Sequence, residues 1–301
     1  MASDKPSRPL VGISWMLVTG FCFISVTALV KFMGSRLPPI EMAFLRYLLG
    51  LVFLFPAISA LRETRLTRRQ WKLFGARGLF HGMAVMLWFY AMVRIPIADV
   101  TAMNYLAPVY VTIGAALFLG EKLAFRRIAA IVMALVGALI ILRPGLREVS
   151  TGHLAMLFTA IAFGGSYLTA KIMADEVKPS VVVAMLSIFV TLVLAPFAVM
   201  DWVSPTAPDM LVLFAVACFA TAGHYTMTLA FAAAPLTVTQ PVTFTQLVWA
   251  VLLGALVFDE AVDVWVVVGG LVILSSVSFI TWREAVLNRA RVTPGVNAPK
   301  G

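Results

Sequence analysis

The sequence predicts an all-α integral membrane protein, with ten transmembrane helices arranged as two inverted five-helix repeats. Three observations lead to this fold class. The 301 residues are 61% hydrophobic and only 12% charged, whereas about a quarter of the residues in a soluble domain carry charge. Apolar stretches long enough to cross a bilayer, which takes about 20 residues each, cover almost the whole chain. The first half of the chain also recurs in outline in the second half.

The recurrence consists of matched residues at a nearly constant offset. Four residues recur 140 positions later, namely Gly12, Lys31, Pro39 and Pro56 as Gly152, Lys171, Pro179 and Pro196. An offset one residue shorter relates Pro96 to Pro235, Tyr105 to Phe244, and Gly120-Glu121 to Asp259-Glu260. We therefore expect one membrane domain made of two repeats, residues 1–145 and 146–301. In duplicated transporters the substrate site lies between the repeats.

The apolar segments are continuous and do not alternate, which favours helices over a barrel. The first segment is too long for a signal-peptide core, and a Pro-Pro turn leads directly into the second, so we treat it as a span. A charged connector at 62–69 separates the second and third spans. Pro144-Gly145 ends the fifth span, and Ser150 or Thr151 is placed to cap the sixth. The spans are 11–33, 40–61, 70–94, 97–119, 124–143, 152–174, 179–200, 209–234, 236–258 and 263–283.

The distribution of basic residues predicts the orientation of the chain. If the N-terminus is cytoplasmic, sixteen Lys and Arg residues fall on the cytoplasmic side and five on the other. The positive-inside rule then places both termini in the cytoplasm. A five-helix repeat has an odd number of spans, so the second repeat must cross in the opposite sense. We expect a multi-pass protein of the bacterial inner (plasma) membrane, in contact with lipids, monomeric, and with no nucleic-acid partner despite its net charge of +9.

Two prolines fall inside corresponding spans of the two halves, Pro108 in the fourth and Pro241 in the ninth. Proline removes a backbone donor and bends a helix, leaving a carbonyl free to face a cavity or a neighbour. Bends in paired helices are what a hinge around a central site needs. We predict Pro108 and Pro241 as hinges, while tolerated kinks without a gating role remain the alternative.

Polar side chains at bilayer depth usually face the bundle interior or a wet cavity. They follow stripes on the third, fourth, eighth and ninth spans, at helical spacing. These spans hold matching places in the two repeats, so we predict that they wall one shared cavity. The predicted substrate-binding residues are His81, Trp88, Asn104, Tyr105, His224, Tyr225, Thr243, Phe244 and Gln246. Any one of them could instead be a bridge between helices.

This lining is amphipathic and not charged, and it suits a zwitterion or small amphiphile better than a phosphate ester. Arg46 is interpreted as an interhelical ion pair or backbone clamp more readily than as a ligand. Arg77 either reaches out of the membrane or pairs with an acid. Asp99 is the only acid near a span interior in the first half, and no convincing proton relay is visible. Facilitated diffusion is therefore the simplest expected mechanism.

The sequence also resembles a known superfamily. The runs Phe44-Leu-Arg-Tyr47 and Leu119-Gly-Glu-Lys122, with Pro108 before the second, resemble the drug/metabolite transporter superfamily, and within it the EamA-type exporters. The second repeat departs from the Leu-Gly-Glu-Lys pattern with Val257-Phe-Asp-Glu260. Asn104-Tyr-Leu-Ala-Pro108 is similar to the fourth-helix motif of bacterial aromatic amino acid exporters. The resemblance implies that Asn104 and Tyr105 line the substrate cavity.

Together these features predict a transporter that exports aromatic and other neutral amino acids and related small metabolites by alternating access. A multidrug, nucleoside or other metabolite exporter of the same superfamily is the alternative, and a passive pore is a weaker one. An intramembrane enzyme is not expected, because the sequence contains no H-E-x-x-H motif, no G-x-S-x-G motif at a span mouth and no paired intramembrane aspartates. No cofactor or metal site is expected.

Overall fold

The structure of the protein is a computed structural model that describes residues 8–120, 125–173, 176–234 and 236–292. Within these ranges the chain is helical and contains no β-strand, as the sequence predicts. Seven stretches of helix are long and apolar enough to cross a membrane. They are Pro9–Met33, Ile97–Phe118, Phe125–Leu142, Thr151–Ala170, Ser180–Ala198, Ala207–Ala233 and Val264–Arg283.

The helices follow one another with short connections. Thirteen α-helices and two 3-10 segments, Leu51–Ala57 and Gln240–Thr243, lie in the described ranges. The α-helices are α1 (Pro9–Met33), α2 (Pro39–Gly50), α3 (Ile58–Glu63), α4 (Arg68–Met92), α5 (Ile97–Asn104), α6 (Ala107–Leu119), α7 (Phe125–Leu142), α8 (Thr151–Met173), α9 (Pro179–Ala198), α10 (Ala207–Ala233), α11 (Leu236–Thr239), α12 (Phe244–Val257) and α13 (Val264–Val292).

Local chemistry sets several of the helix ends. Prolines occupy the first turn of α1, α2 and α9, where their missing N–H has no helical partner to lose. Capping boxes start α4 at Thr67 with Gln70, and α10 at Thr206 with Asp209, because each side chain satisfies a free backbone N–H. Gly34 ends α1 at a positive φ of 59°, a conformation that a residue without Cβ adopts readily.

Three of the predicted spans are interrupted near a proline. The second span changes to a 3-10 helix at Leu51–Ala57, around Pro56. The fourth span breaks at Tyr105 and Leu106, just before Pro108. The ninth span passes through the 3-10 segment Gln240–Thr243, which contains Pro241. Pro196, by contrast, lies inside α9 without ending it. The two predicted hinge prolines therefore lie where corresponding helices lose their α-helical hydrogen bonding.

The helix packing joins the two halves of the chain. The most extensive contacts pair α1 with α10, α4 with α8, and α7 with α13. Glycines allow close approach at these crossings. A Cβ on Gly137 of α7 would lie 2.8 Å from the carbonyl oxygen of Gly269 on α13, and a Cβ on Gly269 would lie 2.6 Å from that of Gly137. Large apolar side chains cover the outside of the bundle, among them Leu10, Phe125 and Leu256, as a lipid environment requires.

The two ends of the helical bundle differ in charge. We call one the acidic end, because it bears Glu41, Asp99, Asp209, Glu260 and Asp263. The other, the basic end, bears the Arg-rich connector before α4, with Arg62, Arg65, Arg68, Arg69 and Lys72. The charge distribution in the sequence predicts that the basic end faces the cytoplasm.

Candidate functional site

A cavity of about 220 Å³ lies in the middle of the bundle. Its walls come from both halves of the chain, from α1, α2, α4, α5 and α6 in the first and from α8, α10 and the Thr243–Gln246 region in the second. This is the shared cavity that the polar stripes predict, but three further helices, α1, α2 and α8, contribute to it. Helices α1 and α8 add Phe23 and Phe163, whose apolar side chains carry no polar pattern by which the sequence could reveal them.

Most of the predicted site residues meet in this cavity. Seven of the nine line it, and so does the predicted hinge Pro108; the seven are His81, Trp88, Asn104, Tyr105, His224, Thr243 and Gln246. Tyr225 does not line it, so the structure does not bring this residue together with the others. The next position along an α-helix is turned by about 100°, so Tyr225 points outward and is 66% exposed while His224 faces the cavity. The side chains of Phe244 and Pro241 lie outside the described residues.

Corresponding positions of the two halves line the cavity together. Phe23 and Phe163, related by the offset of 140, both line it. At the offset of 139 the pairs are His81 with Ala220, Val85 with His224, Trp88 with Met227, Asn104 with Thr243, and Ala107 with Gln246. The positions repeat but the chemistry does not, so one side of the cavity offers groups that the other lacks.

His81 is a bridge between helices. Its Nε2 lies 3.0 Å from the hydroxyl of Tyr47 on α2, and its Nδ1 lies 3.0 Å from Oγ of Ser166 on α8. The ring is 3% exposed and meets Phe163 edge-on, with 5.0 Å between centroids. Both nitrogens already have protein partners, so His81 positions Tyr47 and is not free to hydrogen-bond a substrate. His81 therefore fits the alternative interpretation, in which the side chain is a hydrogen-bonded bridge between helices and not a substrate ligand.

Tyr105 connects the two helix breaks. It lies at the break between α5 and α6, and its buried hydroxyl donates to the carbonyl oxygen of Thr243, 2.9 Å away. Thr243 is the last residue of the 3-10 segment that interrupts the ninth span. This hydrogen bond therefore joins the interrupted helix of one half to that of the other, at the wall of the cavity.

Two polar atoms of the lining residues are buried without a hydrogen-bond partner among the described residues. They are Nε1 of Trp88, a donor, and Oδ1 of Asn104, an acceptor. An unsatisfied buried polar group costs about 1–3 kcal/mol. A polar molecule held in the cavity could offer an acceptor and a donor to these atoms.

The cavity is not free of charge. Arg46 of α2 lines it, with its guanidinium carbon 3.9 Å from the centre of the Tyr47 ring. This corrects the expectation of an uncharged lining and of an ion pair at Arg46. Arg77 departs from expectation too, because it donates to the carbonyl oxygen of Val182 at 3.2 Å and neither leaves the bundle nor pairs with an acid.

Helix α5 is tied to other segments at the acidic end by two polar clusters. In the first, Lys31 of α1 forms an ion pair with Glu260 and donates to the carbonyl oxygen of Ile95 at 2.8 Å. Glu260 also accepts from the backbone N–H of Ile97, the first residue of α5, at 2.9 Å. This cluster joins α1, α5 and the connection before α13.

The second cluster surrounds Asp99, which is 1% exposed. Asp99 pairs with Arg147 of the connection between the halves and lies 2.7 Å from Nε2 of His153. Nδ1 of His153 lies 3.2 Å from the backbone N of Ser150 and 2.9 Å from its Oγ, and Nε2 also lies 2.7 Å from Nη2 of Arg147. Asp263 pairs with both Arg143 and Arg147. Five charged or polar side chains therefore join α5 and α8 to the connections that precede α8 and α13.

The basic end is held by an exposed pair. Arg69 donates to both carboxylate oxygens of Glu176, at 2.6 and 2.8 Å. These hydrogen bonds hold the pKa of Glu176 below its ordinary value. Beneath them, Phe74, Met173, Val177, Val181 and Met185 pack as a separate apolar cluster. In the described part of the chain, no group of three or more His, Cys, Asp or Glu side chains is arranged to hold a metal ion.

A lipid-facing helical bundle that encloses a polar cavity between its two halves is the architecture of a membrane transport protein. Comparison with known families agrees. The EamA-like transporter family matches the sequence twice, over residues 10–143 and 150–282. The chain belongs to the EamA-like transporter family, within the drug/metabolite transporter superfamily, and is a multi-pass membrane transporter.

Relatives of the chain match it over nearly its full length. A riboflavin transporter of Rhizobium johnstonii is 28% identical over 284 residues, which cover 93% of this chain and 94% of the relative. A riboflavin transporter of Vibrio cholerae is 28% identical over 94% of this chain and 96% of its own. An S-adenosylmethionine uptake transporter of Rickettsia prowazekii is 24% identical over the same shares of the two chains. A solved crystal structure superposes with a TM-score of 0.59 at 18% identity, over 94% of this chain and 98% of that one, a likeness of fold alone.

Proposed function

We propose that the chain forms ten transmembrane helices in two inverted five-helix repeats, residues 1–145 and 146–301, and carries small metabolites by alternating access. The interrupted second, fourth and ninth spans each count as one crossing in this arrangement. The two family matches support it. The packing supports it as well. The counterpart of α1 is α8, that of α4 is α10 and that of α7 is α13. Exchanging counterparts turns the α1–α10 contact into the α8–α4 contact and leaves the α7–α13 contact unchanged.

The transported molecule is a small amphiphile with a planar or apolar body. The observation that carries this proposal is the cavity itself, which combines aromatic walls with polar atoms that lack a partner. Trp88 and Phe163 meet edge-on at 6.2 Å between centroids, and Phe163 stacks on Tyr167 at 5.8 Å. Aromatic walls suit planar bodies, and the donor of Trp88 and the acceptor of Asn104 suit polar substituents. Aromatic and other neutral amino acids, exported from the cytoplasm across a bacterial inner membrane, are the first candidates.

A second candidate substrate follows from the relatives. Those named as riboflavin or S-adenosylmethionine transporters handle molecules with a planar ring system and polar substituents, and the latter are named for uptake. The cavity walls accept such rings for the same reason that they accept aromatic amino acids. Multidrug and nucleoside transport belong to the same group of alternatives. One experiment must therefore test both the identity of the substrate and the direction in which it is transported.

In this mechanism the protein alternates between two conformations, each of which exposes the same cavity on one side of the membrane. The clusters around Glu260 and Asp99 close the acidic end, and opening them would expose the cavity on that side. Movement of α5 relative to α6, and of α12 relative to the 3-10 segment before it, would occur at the breaks that contain Tyr105 and Thr243. Pro108 and Pro241 serve as the hinges, because the chain at these breaks has fewer helical hydrogen bonds to lose.

A transport screen in proteoliposomes tests the proposal. The purified full chain is reconstituted, and flux of labelled tryptophan, phenylalanine, threonine, methionine, riboflavin and S-adenosylmethionine is measured in both directions, with and without a pH gradient. We expect saturable flux of at least one compound, and its direction and gradient dependence separate export from uptake and facilitated from coupled transport. Trp88→Ala and Asn104→Ala should lower kcat/KM about tenfold, since each removes a contact of about 1–2 kcal/mol.

The matched control is Tyr225→Ala on α10, because Tyr225 is an exposed aromatic side chain one position from the cavity-lining His224. This variant should transport like the unmodified chain. Absence of flux for every compound would refute the proposed substrate class. Flux that Trp88→Ala and Tyr225→Ala reduce equally would refute the assignment of the cavity as the transport route.

A further inference from the structure

Arg46 is a charged side chain that faces the cavity, in a wall that is otherwise uncharged. None of the described residues that line this cavity is acidic, and the structure places no carboxylate within ion-pair distance of Arg46 among the described residues. The guanidinium stays protonated in proteins. At the corresponding position of the other half, 140 residues later, stands Leu186, so the positive charge belongs to one side of the cavity only.

Arg46 is held in place by a chain of contacts. Its guanidinium lies on the face of the Tyr47 ring, a favourable position for a cation. Tyr47 in turn is fixed by His81, and His81 by Ser166. These contacts orient Arg46 but do not neutralise it, because none of the three side chains supplies a negative charge. Arg46 is therefore a preorganised cation.

The basic residues inside the bundle and at its acidic end have partners that Arg46 lacks. Lys31 pairs with Glu260, Arg143 with Asp263 and Arg147 with Asp99. Arg77 donates to a backbone carbonyl. A charge away from bulk water is costly unless it is paired, so an unpaired arginine in a substrate cavity indicates that its partner is the substrate.

We propose that Arg46 recognises an anionic group of the transported molecule, and that this group is a carboxylate on a planar body. This inference rests on the proposed function and names the substrate class. A guanidinium offers two parallel N–H donors that match the two oxygens of a carboxylate. A phosphate ester, with more negative charge, calls for clustered cations, and the described lining provides one arginine. The planar body packs against Phe163 and Trp88, which line the same cavity.

Binding to the purified full-length chain tests the charge preference without requiring transport. Equilibrium dialysis compares labelled indole-3-acetate, a planar carboxylate, with labelled tryptamine, which has the same ring and an amine. The unmodified chain should bind indole-3-acetate about tenfold or more tightly than tryptamine, as a charge-assisted hydrogen bond implies. Arg46→Gln should remove this preference, and Arg46→Lys should keep part of it. Arg62→Gln, which removes an exposed arginine at the basic end, is the control and should bind both probes like the unmodified chain.

Equal binding of the two probes by the unmodified chain, or no binding of indole-3-acetate, overturns the inference. A preference that survives in Arg46→Gln overturns it as well. Transport of tryptophan against tryptamine in proteoliposomes then separates this inference from the proposed function. If both compounds are transported without preference, the protein is a transporter but Arg46 does not select anions. If binding depends on Arg46 but no compound is transported, the anion site is supported and the proposed transport function is refuted.

Discussion

At the scale of single residues, the matched glycines of the two halves have a physical explanation. A Cβ on Gly12 would lie 2.4 Å from Cβ of Ala234, and a Cβ on Gly152 would lie 2.6 Å from Cγ2 of Ile95. Ala234 and Ile95 are themselves related by the offset of 139. The same close approach is therefore made twice, once by each half against the other. Glycine recurs at these two positions because a larger residue would separate the helices.

The glycine at the crossing of α7 and α13 gives a prediction about stability. Gly137→Ala places a Cβ 2.7 Å from Cγ1 of Ile273 and 2.8 Å from the carbonyl oxygen of Gly269, and a backbone atom moves only with its helix. We expect a loss of about 1–3 kcal/mol, visible as a lower Tm of the purified protein in detergent. Gly50→Ala is the control, since no heavy atom lies within 4 Å of its added Cβ. Equal Tm values for the two variants would contradict the close packing of α7 on α13.

At the scale of helices, the interruptions determine what can move. Helix α5 packs against α8, α12 and α13, whereas α6 packs against α8. The break at Tyr105 and Leu106 therefore separates a segment that also contacts α12 and α13 from one that packs on α8. The hydrogen bond from Tyr105 to Thr243 couples this break to the one in the ninth span.

The Glu260 cluster predicts how easily the acidic end opens. Glu260→Gln removes the ion pair with Lys31 and weakens the contact with the N–H of Ile97. In a chain whose Cys22 and Cys218 are replaced by Ala, a Val100→Cys reporter lies in the cavity wall just inside this cluster. We expect Glu260→Gln to speed labelling of the reporter about fivefold by a membrane-impermeant maleimide added at the acidic end, as loss of about 1 kcal/mol implies.

Glu63→Gln is the matched control, because it disrupts the exposed pair with Lys178, at 3.5 Å, on the opposite end of the bundle. It should leave labelling of Val100→Cys from the acidic end unchanged. If Glu260→Gln labels no faster than the unmodified background, the cluster does not hold that end closed. If both variants accelerate labelling, general loosening of the bundle explains the result better than a gate.

At the scale of the whole molecule, the sequence predicts the apolar helices more completely than it predicts the contacts between them. Apolar length and proline position predict the long apolar helices and two of the interruptions, and polar stripes on the third, fourth, eighth and ninth spans locate seven cavity residues. Tyr225 shows the limit of this reasoning, since adjacent positions on a helix face different directions. The contributions of Phe23 and Phe163, and the partners of Glu260 and Asp99, depend on helices far apart in sequence. No local pattern encodes such contacts.

The role of Arg46 illustrates the same limit. An arginine near the start of a transmembrane helix is compatible with an ion pair, a backbone clamp or a ligand, and the sequence alone favours the first two. What lies opposite the side chain distinguishes these three roles. The side chain of Arg46 faces the cavity and the ring of Tyr47. Both halves of the chain line the cavity, and Arg46, which has Leu186 at the corresponding position, gives the cavity a charge on one side only.

Alternating access requires that one cavity is exposed in turn at the two ends of the bundle. A single cysteine at Val85, a buried cavity position on α4, tests this most directly, with membrane-impermeant maleimide applied to proteoliposomes from one side or the other. We predict labelling from either side, with a transported substrate changing the two rates in opposite directions and no leak of small ions. Labelling from one side only, or labelling from both sides together with ion leak as in a pore, would contradict alternating access.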